Sequence, residues 1–167
     1  VDVDTNAFEE GHIPGALAWN WSTQLCDRRT RDILSREAME ELVRAAGIEK
    51  DTTIVLYGDN NNWFAAWGLW QLEMFGHADV RLMNGGRTKW LAEGRPLSLD
   101  VVTPTRSSYV VPPIDETTRV VLDTLRPMVE RREIHLVDVR SPGEFSGEIL
   151  SPPGLPETCQ RGGHIPG

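Results

Sequence analysis

The chain has 167 residues, with 17 basic and 25 acidic side chains and a formal net charge of −8. Its 40% hydrophobic and 25% charged content is that of a folded globular protein, and the acidic balance argues against nucleic acid or an anionic membrane surface as partner. The longest apolar run, Trp63 to Trp70, is far shorter than the roughly 20 residues that cross a bilayer, and two cysteines, Cys26 and Cys159, cannot form a disulfide framework.

Val1–Val3 reads as a short strand. Ser35 is an N-cap candidate, followed by Ala38, Met39, Leu42, Val43 and Ala46 at helical spacing, with Gly47 as the stop. Thr52–Tyr57 is apolar at its centre and is predicted to be a strand buried on both faces. Trp63–Phe75 is a predicted helix ended by Gly76, with Trp67 and Trp70 expected in the core. Val80–Met83 is a strand, Asn84-Gly85-Gly86 a turn and Arg87–Glu93 a short helix. Strands and helices alternating at this pitch predict an α/β domain with a mostly parallel sheet. Residues 96–113 hold four prolines and no helical period, so they read as linker. Beyond them come a helix over Thr117–Arg132, kinked or interrupted at Pro127, and a strand over Ile134–Val139.

Two strings repeat in the same order. VDV occurs at Val1–Val3 and Val137–Val139, 136 positions apart; GHIPG occurs at Gly11–Gly15 and Gly163–Gly167, 152 apart. The excess of 16 is an insertion rich in proline and glycine around residues 151–163. The period is far too long for a solenoid and marks a domain-sized repeat.

In a parallel sheet, function collects in loops at the carboxyl ends of strands. The clearest is Gly58-Asp59-Asn60-Asn61-Asn62-Trp63, whose glycine and asparagines permit a sharp turn facing a helix N-terminus. Its amides have the makings of an anion cradle. It holds no Cys, Ser, His or Lys, and the plain reading is a structural turn.

VDVR-SPGEF followed by GHIPG, together with LYGDNNNWFAAWGLWQLEMFGH and RLMNGGRTKWLAEGRPL, closely resembles the rhodanese family. The nearest likeness is to the N-terminal half of two-domain thiosulfate or 3-mercaptopyruvate sulfurtransferases. The resemblance spans essentially the whole chain and implies an α/β fold, a rhodanese-like open parallel sheet flanked by helices, in a tandem repeat with the second copy incomplete. Residues 1–95 would be domain 1, lacking the catalytic cysteine; 96–116 a proline-rich interdomain linker; and 117–167 the start of domain 2, truncated before its catalytic loop. In the family a loop cysteine takes a sulfane sulfur from a small donor as a persulfide and passes it to cyanide or a thiol. This implies a sulfurtransferase needing no cofactor and no metal.

Carried onto this sequence, Gly58 stands at the nucleophile's position, and Gly58 to Trp63 form a vestigial loop. The loop begins 47 positions after the first GHIPG, and the same offset from Gly163 falls 43 positions beyond Gly167, where the catalytic cysteine is expected. The chain as given is therefore expected to be inactive. Trp63 and Phe64 would line the active-site cleft. Asp138 and Arg140 would form a bracing ion pair, with Arg140 a further cleft candidate. Glu144 replaces a substrate-binding arginine found in some relatives.

Neither cysteine occupies a nucleophile's place. Cys26 precedes the cluster Asp27-Arg28-Arg29, whose arginines could lower its pKa, but no helix-terminal loop surrounds it. Cys159 lies in the insertion. A C-x5-R phosphatase loop is excluded, since Asp32 and Ile165 stand six positions after the two cysteines. His12 and His164 read as structural residues of rigid turns, and His77 as a helix-end cap. The alternative function is a non-catalytic rhodanese-like binding or regulatory module. No signal segment opens the chain, so a reducing cytoplasm is the expected compartment. The missing initiator Met is read as an N-terminal truncation that leaves a removed signal open.

Overall fold

The structure, a computed structural model, describes residues 1–3, 6–154 and 159–166. It divides into two compact units, Val1–Thr118 and Arg119–Gly167. Among the described residues no helix is long and apolar enough to cross a membrane.

Unit 1 is built on four parallel strands. β1 (Asp2–Val3) pairs with β2 (Ala18–Trp19), and β3 (Ile54–Leu56) pairs with β4 (Val80–Leu82). Two backbone bonds join these pairs, from the Val3 N–H to the Tyr57 carbonyl at 2.8 Å and from the Tyr57 N–H to the Val1 carbonyl at 3.0 Å, so the order is β2-β1-β3-β4. Parallel neighbours cannot be joined by tight hairpins. The intervening chain carries α1 (Ala7–Glu10), α2 (Arg36–Ala45), α3 (Trp63–Met74) and α4 (Gly86–Ala92).

α2 starts where its side-chain chemistry allows. The Ser35 hydroxyl oxygen accepts from the Ala38 N–H at 3.2 Å, satisfying one orphan donor of the first turn. Met39 and Val43, one turn apart, are both fully buried. Gly47, at φ 68°, closes the helix in the left-handed region that glycine adopts without penalty.

α3 is apolar on nearly every face, and this misleads the sequence reading. Its buried face is not the tryptophan row but Ala65, Gly68 and Leu72, with Gln71 and Met74. Small residues let the helix approach closely: a Cβ on Gly68 would lie 3.3 Å from Leu25 Cδ1 and 3.6 Å from Leu56 Cδ1. Trp67 and Trp70 are half-buried on the flank, 5.2 Å apart and tilted. β3 also departs from expectation, since Val55 is 42% exposed and only Ile54 and Leu56 are buried. Its all-apolar centre therefore does not mark two covered faces.

The proline-rich segment 96–116, read from composition as linker, packs on unit 1. Tyr109 and Val111 belong to its core, and their carbonyls accept from Arg44 Nε and Arg36 Nε, each at 2.7 Å. The division between units falls after Thr118.

Unit 2 holds α5 (Leu122–Glu130), which runs on through Pro127, and α6 (Pro142–Ser146). The expected strand over Ile134–Val139 does not form, and Val137 and Val139 are 82% and 92% exposed. A strand exists only through a ladder with a neighbour, and the described residues of unit 2 supply none. Residues 155–158 of the insertion and Gly167 of the second GHIPG lie outside the described residues.

One local arrangement occurs in both units. Phe8 stacks on His12 at 3.7 Å and 2°, and His12 Nδ1 lies 3.1 Å from the Phe8 carbonyl. Phe145 stacks on His164 at 3.8 Å and 3°, with Nδ1 2.9 Å from the Phe145 carbonyl. The longer excursion in unit 2 closes where Gly147 and Gly162 touch, with a Cβ on Gly162 only 3.0 Å from the Gly147 carbonyl oxygen.

Candidate functional site

The loop at the carboxyl end of β3 is shaped by backbone crowding at its start and by one asparagine at its end. A Cβ on Gly58 would sit 2.7 Å from the Val3 carbonyl oxygen, a backbone atom of the adjacent strand that cannot swing aside. Asn60, Asn61 and Asn62 follow with φ of 48°, 55° and 63°, three successive left-handed residues of the type that tolerates that region. This turn aims the buried Asn62 side chain inward. Its Oδ1 accepts from the Gly58 N–H at 3.0 Å and its Nδ2 donates to the Met83 carbonyl at 2.8 Å.

The loop is thus closed on itself. An amide that an anion cradle would aim at its ligand is taken by Asn62, and the carboxamide occupies the interior. Gly86 presses on it from α4, where a Cβ would be 2.6 Å from Asn62 Oδ1 and 2.7 Å from the Gly58 carbonyl oxygen. Asp59 at the rim lies 3.4 Å from Arg87 Nε. Trp63 is 52% exposed, while Phe64 stacks on Trp21 at 4.3 Å. Neither of the larger cavities, about 460 Å³ beside α5 and about 280 Å³ beside α2, is lined by loop residues.

Beneath the loop lies a buried polar group that the sequence reading missed. Arg87, at the start of α4, donates from Nη2 to Asp2 Oδ2 and from Nη1 to the Gly11 carbonyl. Its guanidinium sits 5.7 Å from the Tyr57 ring centre. Burial drives the Tyr57 hydroxyl far above its ordinary range, and it accepts from the Ile13 N–H at 3.0 Å. One cation therefore ties the VDV strand, the GHIPG turn and the loop together. A second missed residue is Gln71, fully buried, which accepts from the Leu34 N–H at 3.0 Å and donates to the Leu25 carbonyl at 2.8 Å, clamping the segment that carries Cys26.

Cys26 does not resemble an activated thiol. Burial pushes it above its usual value, against a smaller opposing pull from Arg31, and its Sγ lies 3.6 Å from the Asp27 carbonyl. The arginines next to it in sequence thus do not outweigh desolvation. Cys159 is exposed. No group of three or more His, Cys, Asp or Glu side chains suited to a metal ion occurs among the described residues. His77 does not cap its own helix; it is buried and bonds the Thr52 carbonyl at 2.7 Å, tying the end of α3 to the start of β3.

In unit 2, Asp138 and Arg140 form the ion pair that the resemblance implies, at 2.6 Å, and Arg140 also donates to the Gly163 carbonyl at 2.8 Å. These are the counterparts of the two groups that Arg87 holds in unit 1. Glu144 is a cap, not a cleft residue: 7% exposed, it accepts from the Ser141 N–H at 3.0 Å and hydroxyl at 2.8 Å, closing a capping box on α6.

Residues 1–93 match the family model described as the rhodanese-like domain. The chain belongs to the rhodanese family. Over 167 residues this rhodanese chain is 50% identical to a Haloferax volcanii protein named "Putative thiosulfate sulfurtransferase", covering 58% of that protein. It is 45% identical to a Mycobacterium tuberculosis protein of the same name, covering 60% of it. It thus spans about three fifths of the curated relatives it matches. Among solved structures, a 3-mercaptopyruvate enzyme from Escherichia coli superposes with a TM-score of 0.80 at 22% identity, over 99% of this chain and 66% of that one. EanB, solved as a cysteine persulfide with ergothioneine, superposes with a TM-score of 0.78 at 28% identity, over 99% and 43%.

Proposed function

We propose that this chain carries the non-catalytic first copy of a tandem rhodanese sulfurtransferase, followed in unit 2 by the opening elements of a second copy. The whole enzyme moves a sulfane sulfur from thiosulfate or 3-mercaptopyruvate to cyanide or a thiol. A cysteine thiolate attacks the outer sulfur of thiosulfate, the S–S bond breaks, and sulfite leaves as the cysteine becomes a persulfide. Cyanide then takes the outer sulfur as thiocyanate and returns the thiolate.

The observation that carries the silent reading of unit 1 is Gly58, whose Cβ direction is blocked by the Val3 carbonyl oxygen at 2.7 Å. A nucleophilic side chain has no room there while the strands keep their positions. The shared Phe–His stack and the Arg-held GHIPG glycine support a repeat, with the copies entering at Val1 and near residue 117. Both cysteines are free thiols, which suits a cytoplasmic setting. Mass spectrometry of the intact chain after incubation with thiosulfate tests this reading. We expect no sulfur added to Cys26 or Cys159; a persulfide formed in stoichiometric amount on either would overturn it.

A further inference from the structure

His12 is 1% exposed, yet each of its ring nitrogens faces a backbone carbonyl: Nδ1 lies 3.1 Å from the Phe8 oxygen and Nε2 3.0 Å from the Asp100 oxygen. Carbonyl oxygens only accept, and a neutral imidazole has one N–H and one lone pair. A neutral ring would therefore set its lone pair against an oxygen at one of these contacts, with no water to relieve it. An imidazolium donates to both. The third contact agrees, since the Phe8 ring lies parallel over His12 at 3.7 Å and presents its electron-rich face to the ring.

We infer that His12 is a buried imidazolium that latches the GHIPG turn to the 98–100 segment, so that folding of unit 1 takes up a proton. The latch joins elements far apart in sequence. Around the ring contacts, the His12 N–H donates to the Ser98 carbonyl at 2.9 Å and the Ser98 N–H to the His12 carbonyl at 2.8 Å. The charged and titratable groups on the surrounding elements are Glu9 and Glu10 of α1, Asp100 of the strap, Asp2 of β1 paired with Arg87 of α4, and Tyr57 after β3. The Asp100 carboxylate accepts from the Ser98 hydroxyl at 3.0 Å. Three carboxylates on α1 and the strap and the paired Asp2–Arg87 leave the neighbourhood acidic, which suits a cation. The carboxylates titrate well below neutrality and Tyr57 well above it, so the region's charge changes near neutral pH through His12. His164 serves as a contrast, with only its Nδ1 placed against a carbonyl, that of Phe145.

The test is long-range proton–nitrogen NMR of the 167-residue chain labelled at histidine nitrogens. At pH 7.5 both His12 ring nitrogens should carry protons, a pattern that a merely structural neutral histidine does not give. One protonated and one bare nitrogen on His12 would overturn the inference, and this readout needs no variant. A second measurement follows unfolding by urea between pH 6 and 8 for the chain and for His12→Gln. A proton held only in the folded state lowers the folded-to-unfolded ratio by up to tenfold per pH unit above about 6.5. The gap between the two proteins should narrow as pH rises; a gap that does not change with pH contradicts the latch.

Discussion

Methionine in place of Arg87 is expected to destabilise unit 1 by about 3–5 kcal/mol, because it leaves a buried carboxylate without its cation. Arg87 and Asp2 are 6% and 1% exposed, and the guanidinium also holds the Gly11 carbonyl and lies near Asp59. The partners sit 85 residues apart. Losing the arginine therefore uncouples the first strand from the α4 end of the domain. Urea unfolding followed by tryptophan fluorescence measures the loss. Pairing Arg87→Met with Asp2→Asn should recover part of it, since an uncharged pair no longer strands a carboxylate. A single variant within about 1 kcal/mol of the parent, at the level of an exposed ion pair, would show that this cluster does not brace the fold.

Gly86→Ala is expected to cost about 2–5 kcal/mol, combining left-handed strain with overpacking. Gly86 has φ +55°, and its new Cβ would collide with Asn62 Oδ1 and with the Gly58 carbonyl oxygen. Gly94 separates the two contributions. It has φ +67° and nothing within 4 Å of its Cβ direction, so Gly94→Ala carries only the strain, about 1–2 kcal/mol. The excess at Gly86 measures how tightly the loop is closed. Hydrogen exchange supplies the local readout, since the Gly58 amide bonded to Asn62 should lose protection in Gly86→Ala and keep it in Gly94→Ala. Equal costs at the two positions would mean that the Asn62 plug yields easily.

How much of this was legible in the sequence depends on the range of the interaction. The Ser35 cap, the Gly47 stop and the short alternation of strands and helices are local, and they could be read directly. The α3 face could not, because a helix apolar all round has no periodic signal, and the deciding residues were the small ones, Ala65 and Gly68. Ile134–Val139 has strand composition without a strand, since pairing is a property of two segments. The prolines of 96–116 suggested a linker, whereas the alternation of Tyr109 and Val111 carried the information that this segment packs. At the site, the run of three asparagines announced left-handed backbone, but nothing local singled out Asn62 as the plug. Asp2 and Arg87 were invisible as a pair because 85 residues separate them. The adjacent arginines at Cys26 pointed the wrong way, since burial opposes a thiolate more than they favour it.

The central claim is that the described part of this rhodanese chain holds a closed loop where the family keeps its nucleophile. A thiosulfate:cyanide assay on the 167-residue chain, on Gly58→Cys, and on the Cys26→Ser and Cys159→Ser variants tests it most directly. The account predicts no thiocyanate above the protein-free rate for any of them, including Gly58→Cys, whose new side chain points into the Val3 carbonyl. Turnover by the parent chain that disappears in Cys26→Ser or Cys159→Ser, or turnover gained in Gly58→Cys, would contradict it.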